Sequence, residues 1–479
     1  MPTKNVSAPF PDIADELRDT IYKSIIPNLA VGISNARDLT KPSKTEFVLS
    51  YKMALILLFR LLFIVYSEDR EILPYKNNKA YRKISLKNKA TELAIAASNM
   101  APISEGHHHW TESMQLWQVI SRGNSNWGMP AFNEIMFSED AELTKAGVAL
   151  DDLTLPNSIF EPTLRELLLT RKEDNEFTPI DFNELSIREL GSIYEVLIRY
   201  QLSIAGQNLT RDNNGTYLPA NDDDPVFIKA GETYIHDRSS LRKKSGSYYT
   251  PGFAVEHLLN DALKPALDEH LERISTLGHA EQTEQLFDFR VADIAMGSGH
   301  FLIAAIDHME NRFALWLQHN PCPKIEQEIK ILRQSANKVL GDIDGKVTIE
   351  DRQLLRRMIA RRCIYGVDLN PFAVHLARLS IWIHTFVPGL PLSPIDHNLV
   401  TGNALIGISS LDEVRKKFVD SADTLNAINV ETLLARAADP LKKLAKVSDA
   451  SVKEILEGRA IINRARVKNK ETEALFDLI

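Results

Sequence analysis

The stretch Asp293-Ile-Ala-Met-Gly-Ser-Gly-His-Phe-Leu302 constrains the fold more than any other part of this chain. Phe289 to Ile294 is apolar except for Arg290 and Asp293, which predicts a short buried strand. A Gly-x-Gly turn follows, and then a helical run, Phe301-Leu-Ile-Ala-Ala-Ile306. Strand, glycine turn and helix in that order bring backbone N–H groups and a helix N-terminus up to a ligand, as α/β folds do. Gly297 and Gly299 let the backbone turn sharply with no side chain between it and the ligand. A Gly-x-Gly pair is common in turns, so its meaning depends on what accompanies it.

The rest of the chain sets the frame. Its 479 residues predict two to three domains. A net charge of −8 gives no overall basic character, so any nucleic-acid contact must come from local surfaces. The two cysteines, Cys322 and Cys363, have no metal spacing and predict neither a disulfide framework nor a zinc site, which points to the cytoplasm. The first residues carry no apolar signal segment. Met53 to Tyr66 is the most apolar run; it includes Arg60, is short for a bilayer, and reads as a buried core helix, so no membrane is expected.

Residues 1–204 read as a mostly helical domain with Met53–Tyr66 at its centre, running on to Pro74, and with an amphipathic helix over Asn183–Ile198. The run Gly106-His-His-His-Trp110 reads as a surface loop or helix start, because adjacent side chains do not converge on one ion. Residues 205–244 carry turn signals (Asn213-Asn-Gly215, Asn221 to Pro225) around short apolar runs and read as an irregular hairpin linker. No acidic-x-Lys metal site in a strand context is found in residues 1–240, which otherwise read as lacking strands, so a nuclease is not expected there.

From residue 245 the pattern is α/β. Helix 253–274 precedes the first strand, and a charged helical insertion covers 323–361. A second strand, 363–368, leads into a helix from Pro371 to Phe386, and a third, 398–401, leads to Gly402-Asn403. Residues 410–470 read as helical, and 474–479 as the start of another strand. Asp368, ending the second strand, suits ribose hydroxyls. It lies 71 residues after Gly297, where a plain dinucleotide fold spaces the two by about 20, unless the charged segment is an insertion. Asn403 ends the third strand. Thr250 before Pro251 suits a helix cap that would favour a carboxylate. Arg242 to Lys244 and Arg356 to Arg362 suit phosphates or, equally, a solvated face.

Taken together, Ser245-Gly-Ser-Tyr-Tyr-Thr-Pro251, Asp293 to Leu302, Gly366-Val-Asp-Leu-Asn-Pro371 and Gly402-Asn-Ala-Leu405 resemble the adenine-specific (N6) DNA methyltransferases of the Eco57I-like group, found in type IIG restriction-modification and phage-defence systems. Arg60 to Arg70 and Glu189 to Glu195 resemble the helical region that precedes the catalytic domain there. The resemblance implies an incomplete Rossmann-like methyltransferase domain over 245–479, bound S-adenosyl-L-methionine, and double-stranded DNA as substrate. It implies Tyr249 and Thr250 near the methionine carboxylate, Asp293, Gly297 and Gly299 along methionine and ribose, Asp368 on the ribose hydroxyls and Asn403 near adenine. Ile294 and Met296 replace the group's usual Pro and Cys, and Asn403 stands where many relatives carry Asp.

The group's catalytic loop, Asn-Pro-Pro-Tyr or Asp-Pro-Pro-Tyr after the fourth strand, has no match; the Asn-Pro pairs are Asn320-Pro321 and Asn370-Pro371. The expectation is therefore a chain holding the cofactor half, with no catalytic residue of its own and no metal, ending as the fourth strand starts. The alternatives are a non-catalytic cofactor-binding subunit completed by a second polypeptide, or an unrelated nucleotide-binding α/β enzyme.

Overall fold

A computed structural model describes the chain except for residues 1–12, 39–42, 125–126, 128, 130–144, 172–175, 186–188, 190–199, 213–215, 222, 238–251, 341–347, 396, 406–447, 452, 459, 463 and 466–479. It divides into two compact units, Met1–Ser247 and Tyr248–Ile479.

The first unit is built around α3, Lys44–Asp69. Ser43 starts it with a reciprocal cap: its Oγ accepts from the Glu46 N–H, and its own N–H donates to the Glu46 carboxylate. With a mean hydropathy of 2.2 over its most apolar window, the helix is long and apolar enough to cross a membrane, yet 83% of that window is buried inside the protein. It is covered by α2 (Ile26–Ala36), α5 (Leu86–Ser98) and α7 (Lys145–Asp151). Apolar residues on every side are what a central helix requires. The helix stops at Asp69, before Pro74, where Glu71 takes a left-handed φ of +61° and the Ile72 N–H donates back to the Ser67 carbonyl at 2.9 Å. Glu68 accepts from Tyr81 Oη at 2.8 Å and from the N–H groups of Leu86 and Lys87, the first turn of α5. Asp69 accepts from the Phe182 N–H at 2.8 Å. Beside them stand the short α1 (Ile13–Thr20) and α4 (Lys79–Ile84) and the longer α6 (His108–Arg122) and α8 (Asn157–Leu168), and α8 meets α2 where Gly32 leaves room for Ile159.

Strands occur before residue 205, against expectation, and further ones lie within 205–244, the segment read as an irregular hairpin. β1 (Leu169–Arg171) pairs antiparallel with β2 (Phe177–Pro179), β3 (Tyr200–Ile204) with β6 (Thr233–Asp237), and β4 (Leu209–Arg211) with β5 (Tyr217–Pro219). At three to five residues each, they are too short to show a clear alternation in sequence. The amphipathic segment 183–198 falls mostly outside the described residues, apart from a 3-10 turn at Phe182–Glu184.

The second unit follows the predicted order. A helix runs as α9 (Gly252–Leu258), a π-turn (Leu259–Leu263) and α10 (Lys264–Ser275), followed by the short α11 (His279–Gln285). β7 (Val291–Asp293) leads to α12 (His300–His319), α13 (Pro323–Leu340) and α14 (Asp351–Cys363), then β8 (Ile364–Asp368), α15 (Pro371–His384) and β9 (Leu399–Thr401). The three strands are parallel in the order β7-β8-β9, with Asp293 opposite Gly366 and Asp368 opposite Thr401. Parallel pairing demands crossovers, and the helices supply them. Leu302, Ile306, Met309 and Phe313 of α12 are fully buried.

The arginines of α14 are held within the protein. Arg357 donates to Asp449 at 2.9 Å, and Arg361 lies 3.3 Å from the same carboxylate. Arg362 pairs with Glu328 of α13 at 2.6 Å, and Arg356 with Glu310 of α12 at 3.3 Å. These are internal ties rather than a phosphate surface. Arg242 to Lys244, most of 410–470 and all of 474–479 lie outside the described residues; 453–458 are helical.

Candidate functional site

The motifs around Gly297, Asp368 and Gly402 meet at the carboxyl end of the parallel sheet. β8 runs two residues beyond its pairing with β7, which carries Asp368 past the strand end. There Asp368 Oδ2 accepts from the Gly297 N–H at 3.0 Å, and Oδ1 accepts from the Asn370 N–H at 2.8 Å. Met296 N–H donates to the Val367 carbonyl at 3.1 Å. The glycine turn of the first strand is thus pinned to the end of the second.

Both glycines have positive φ, +53° at Gly297 and +83° at Gly299. Gly299 also packs on α15: a Cβ there would lie 3.2 Å from the Ala377 Cβ and 3.3 Å from its Cα. Gly299 caps α12, so the first N–H groups of that helix open at the turn. Gly366 serves packing as well, since its missing side chain makes room for the Met296 sulfur. This explains Met296 physically: it is buried against the second strand, and its polarity is irrelevant to the site.

Asp293 Oδ1 accepts from the Ala295 N–H at 3.0 Å. Burial pushes its carboxyl above the usual carboxylate range, the Ala295 N–H pulls it back, and the negative Asp368 nearby pushes it up again. Two half-buried carboxylates that feel each other favour a ligand bringing hydroxyl donors or positive charge. Asn403 Oδ1 accepts from the Leu405 N–H at 3.0 Å and stands exposed after β9. Each carboxylate oxygen of Asp368 keeps acceptor capacity beyond its backbone bond.

Sequence reasoning missed two neighbours of the site. Ile294 and Leu369 directly follow the two aspartates and are 61% and 53% exposed. A large apolar residue just after a strand-ending acid was the available signal. His375 on α15 is held neutral by burial, which lowers it to about 4 with help from Arg378. Tyr249 and Thr250 lie outside the described residues.

The histidine run does not converge on one point. His108 Nδ1 lies 2.8 Å from Asn157 Nδ2, and His109 is buried with Nε2 3.3 Å from both Ser104 Oγ and Glu161. Among the described residues no group of His, Cys, Asp or Glu is arranged to hold a metal. A cavity of about 360 Å3 in the first unit is lined by Arg60, Trp117 and Asp151 among others, but Arg60 is committed to Asp151.

No family model matches the chain. It is 22% identical, over 503 aligned positions, to a protein of Methanocaldococcus jannaschii provisionally named a type II restriction enzyme and methyltransferase. The alignment takes in 95% of this chain and 37% of that protein, so the chain spans little more than a third of its relative's length.

Proposed function

We propose that the chain is the cofactor-binding portion of an adenine-specific (N6) DNA methyltransferase in a restriction-modification or phage-defence system. The observation that carries this reading is the bond from Gly297 N–H to Asp368, which joins two motifs 71 residues apart in sequence at one sheet end. The similarity over 95% of the chain to a protein named for restriction and methylation supports it.

The residues present fit S-adenosyl-L-methionine. The left-handed glycines leave a cradle without side chains, the paired carboxylates suit hydroxyl and ammonium donors, and exposed Ile294 and Leu369 offer apolar surface beside them. When bound, the cofactor supplies an electrophilic methyl group. Asp368 would hold the ribose hydroxyls, Asp293 with Gly297 and Gly299 the methionine–ribose part, Asn403 the adenine edge, and Tyr249 with Thr250 the carboxylate. The catalytic loop that presents adenine has no counterpart in the sequence.

Calorimetry with S-adenosyl-L-methionine and with NAD tests the reading. Binding of the former is expected; preference for NAD would sink it. Tritium-methyl transfer to duplex DNA by the chain alone is expected to be absent, and robust transfer would show that the catalytic residues lie within it. The lack of an Asn-Pro-Pro-aromatic sequence favours a second reading, a cofactor-binding subunit completed by another polypeptide. Activity appearing only on adding such a partner separates the two.

A further inference from the structure

One stretch of the first unit concentrates positive charge. Ile72 to Thr91 carries Lys76, Lys79, Arg82, Lys83, Lys87 and Lys89 and no Asp or Glu, in a chain whose net charge is −8. It holds the turn before α4, α4 itself and the start of α5. The inner side of α4 is anchored. Asn78 Oδ1 caps it, accepting from the Ala80 and Tyr81 N–H groups at 2.9 Å. Tyr81 is fully buried and donates to Glu68 at 2.8 Å. Arg82 Nε donates to the Tyr75 carbonyl at 3.1 Å, and its Nη2 donates to that of Lys76, which ties the preceding turn to the helix. The outer side is left to Lys79 and Lys83, both exposed and one helical turn apart, so their side chains lie next to each other.

A basic helix face is often only solvated, with acids alongside that cancel its charge. Here the acids are spent on other lysines. Glu71 pairs with Lys76 and Asp69 with Lys87, while Glu92 and Glu112 both pair with Lys89, at 2.8 and 2.6 Å. Among the described residues neither Lys79 nor Lys83 has an ion-pair partner. Arg82 is bonded to neutral carbonyls, so its charge also stands uncancelled. α4 exposes no large apolar side chain, which a helix lying on a lipid surface needs.

We propose that this ridge grips the phosphate backbone of double-stranded DNA, with Lys79 and Lys83 each on a phosphate and Arg82 adding to the positive field. Lysine contacts to phosphates release counterions and fix position without reading sequence. The ridge therefore holds the duplex and leaves base recognition to other groups. The proposal rests on the reading of DNA as the substrate class.

Fluorescence anisotropy with the full chain and a labelled duplex of about 20 base pairs, titrated over a range of salt, tests it. Lys79→Gln with Lys83→Gln should weaken binding by roughly tenfold or more at about 0.1 M salt and make the slope of log affinity against log salt shallower by about 2, the scale of two lost phosphate contacts. Lys79→Arg with Lys83→Arg should keep both. Lys330→Gln with Lys338→Gln, which removes the same charge from exposed positions on α13, should leave both unchanged. All four lysines are exposed, and circular dichroism checks the fold. Undiminished binding by the folded Lys79 and Lys83 glutamine pair, an equal loss in the α13 pair, or no duplex binding by the unaltered chain overturns the proposal. So does binding to phosphatidylserine vesicles in place of duplex. Calorimetry with S-adenosyl-L-methionine on the same proteins keeps the two readings apart. Duplex binding through α4 without cofactor binding would leave this ridge standing and remove the methyltransferase reading; cofactor binding without duplex binding would do the reverse.

Discussion

Asp368 does two jobs at the residue scale, and they can be separated by measurement. Its carboxylate fixes the glycine turn and the start of α15 through two backbone N–H groups. Asp368→Ala leaves both donors without that partner and should lower stability by roughly 1–3 kcal/mol in chemical denaturation. It should also abolish measurable cofactor binding, whereas Asp368→Asn, which keeps an acceptor, should lose less stability than affinity. Gly299→Ala forces a side chain into φ +83° and against Ala377, so a loss of about 1–2 kcal/mol is expected. Asp293 predicts a pH effect. Its carboxyl sits above the usual range, so cofactor affinity should fall on acidification sooner than for an ordinary aspartate, and Asp293→Asn should flatten that profile.

Elements in each unit are tied together by buried charge, with opposite responses to pH. In the first unit, Glu68 is fully buried against the start of α5, and desolvation raises its carboxyl to about 7, outweighing the bonds from Tyr81, Lys87 and Leu86. A raised carboxyl means the folded state holds its proton more tightly than the unfolded chain. The resulting stability is present below the ordinary value of 4.5 and is lost as pH rises through about 7. The full swing is on the order of 3 kcal/mol, to be read from denaturant midpoints between pH 5 and 8, and Glu68→Gln should remove it. In the second unit, Asp449 is drawn down to about 2 by Arg357 and Arg361 against the pull of burial. Its contribution is present above the ordinary 3.8 and is lost as pH falls through about 2. Asp449→Ala strands buried Arg357, and a cost of about 3–5 kcal/mol is expected. This tie, together with Glu310 and Glu328, answers the question the charged helices raised in sequence: their arginines hold α14 to α12, α13 and Asp449.

At the scale of the whole molecule, the parallel sheet is legible in the sequence. Strand, Gly-x-Gly turn and helix specify their own local geometry, because only glycine takes the two left-handed positions cheaply and only parallel strands need helical crossovers. The order of Asp293, Gly297, Gly299, Asp368 and Asn403 was therefore readable, and so was the central position of the Met53–Tyr66 run in α3. What the sequence could not decide was where side chains far apart in the chain would meet. The bond from Gly297 to Asp368, the fit of Met296 into the space at Gly366 and the commitment of the α14 arginines all join residues from different elements. The strands before residue 205 escaped notice because pieces of three to five residues leave too few positions for a period to show. Local periodicity and glycine placement fixed the α/β order of the second unit; tertiary contact alone decided which charges are spent inside the protein and which groups are left to face a ligand.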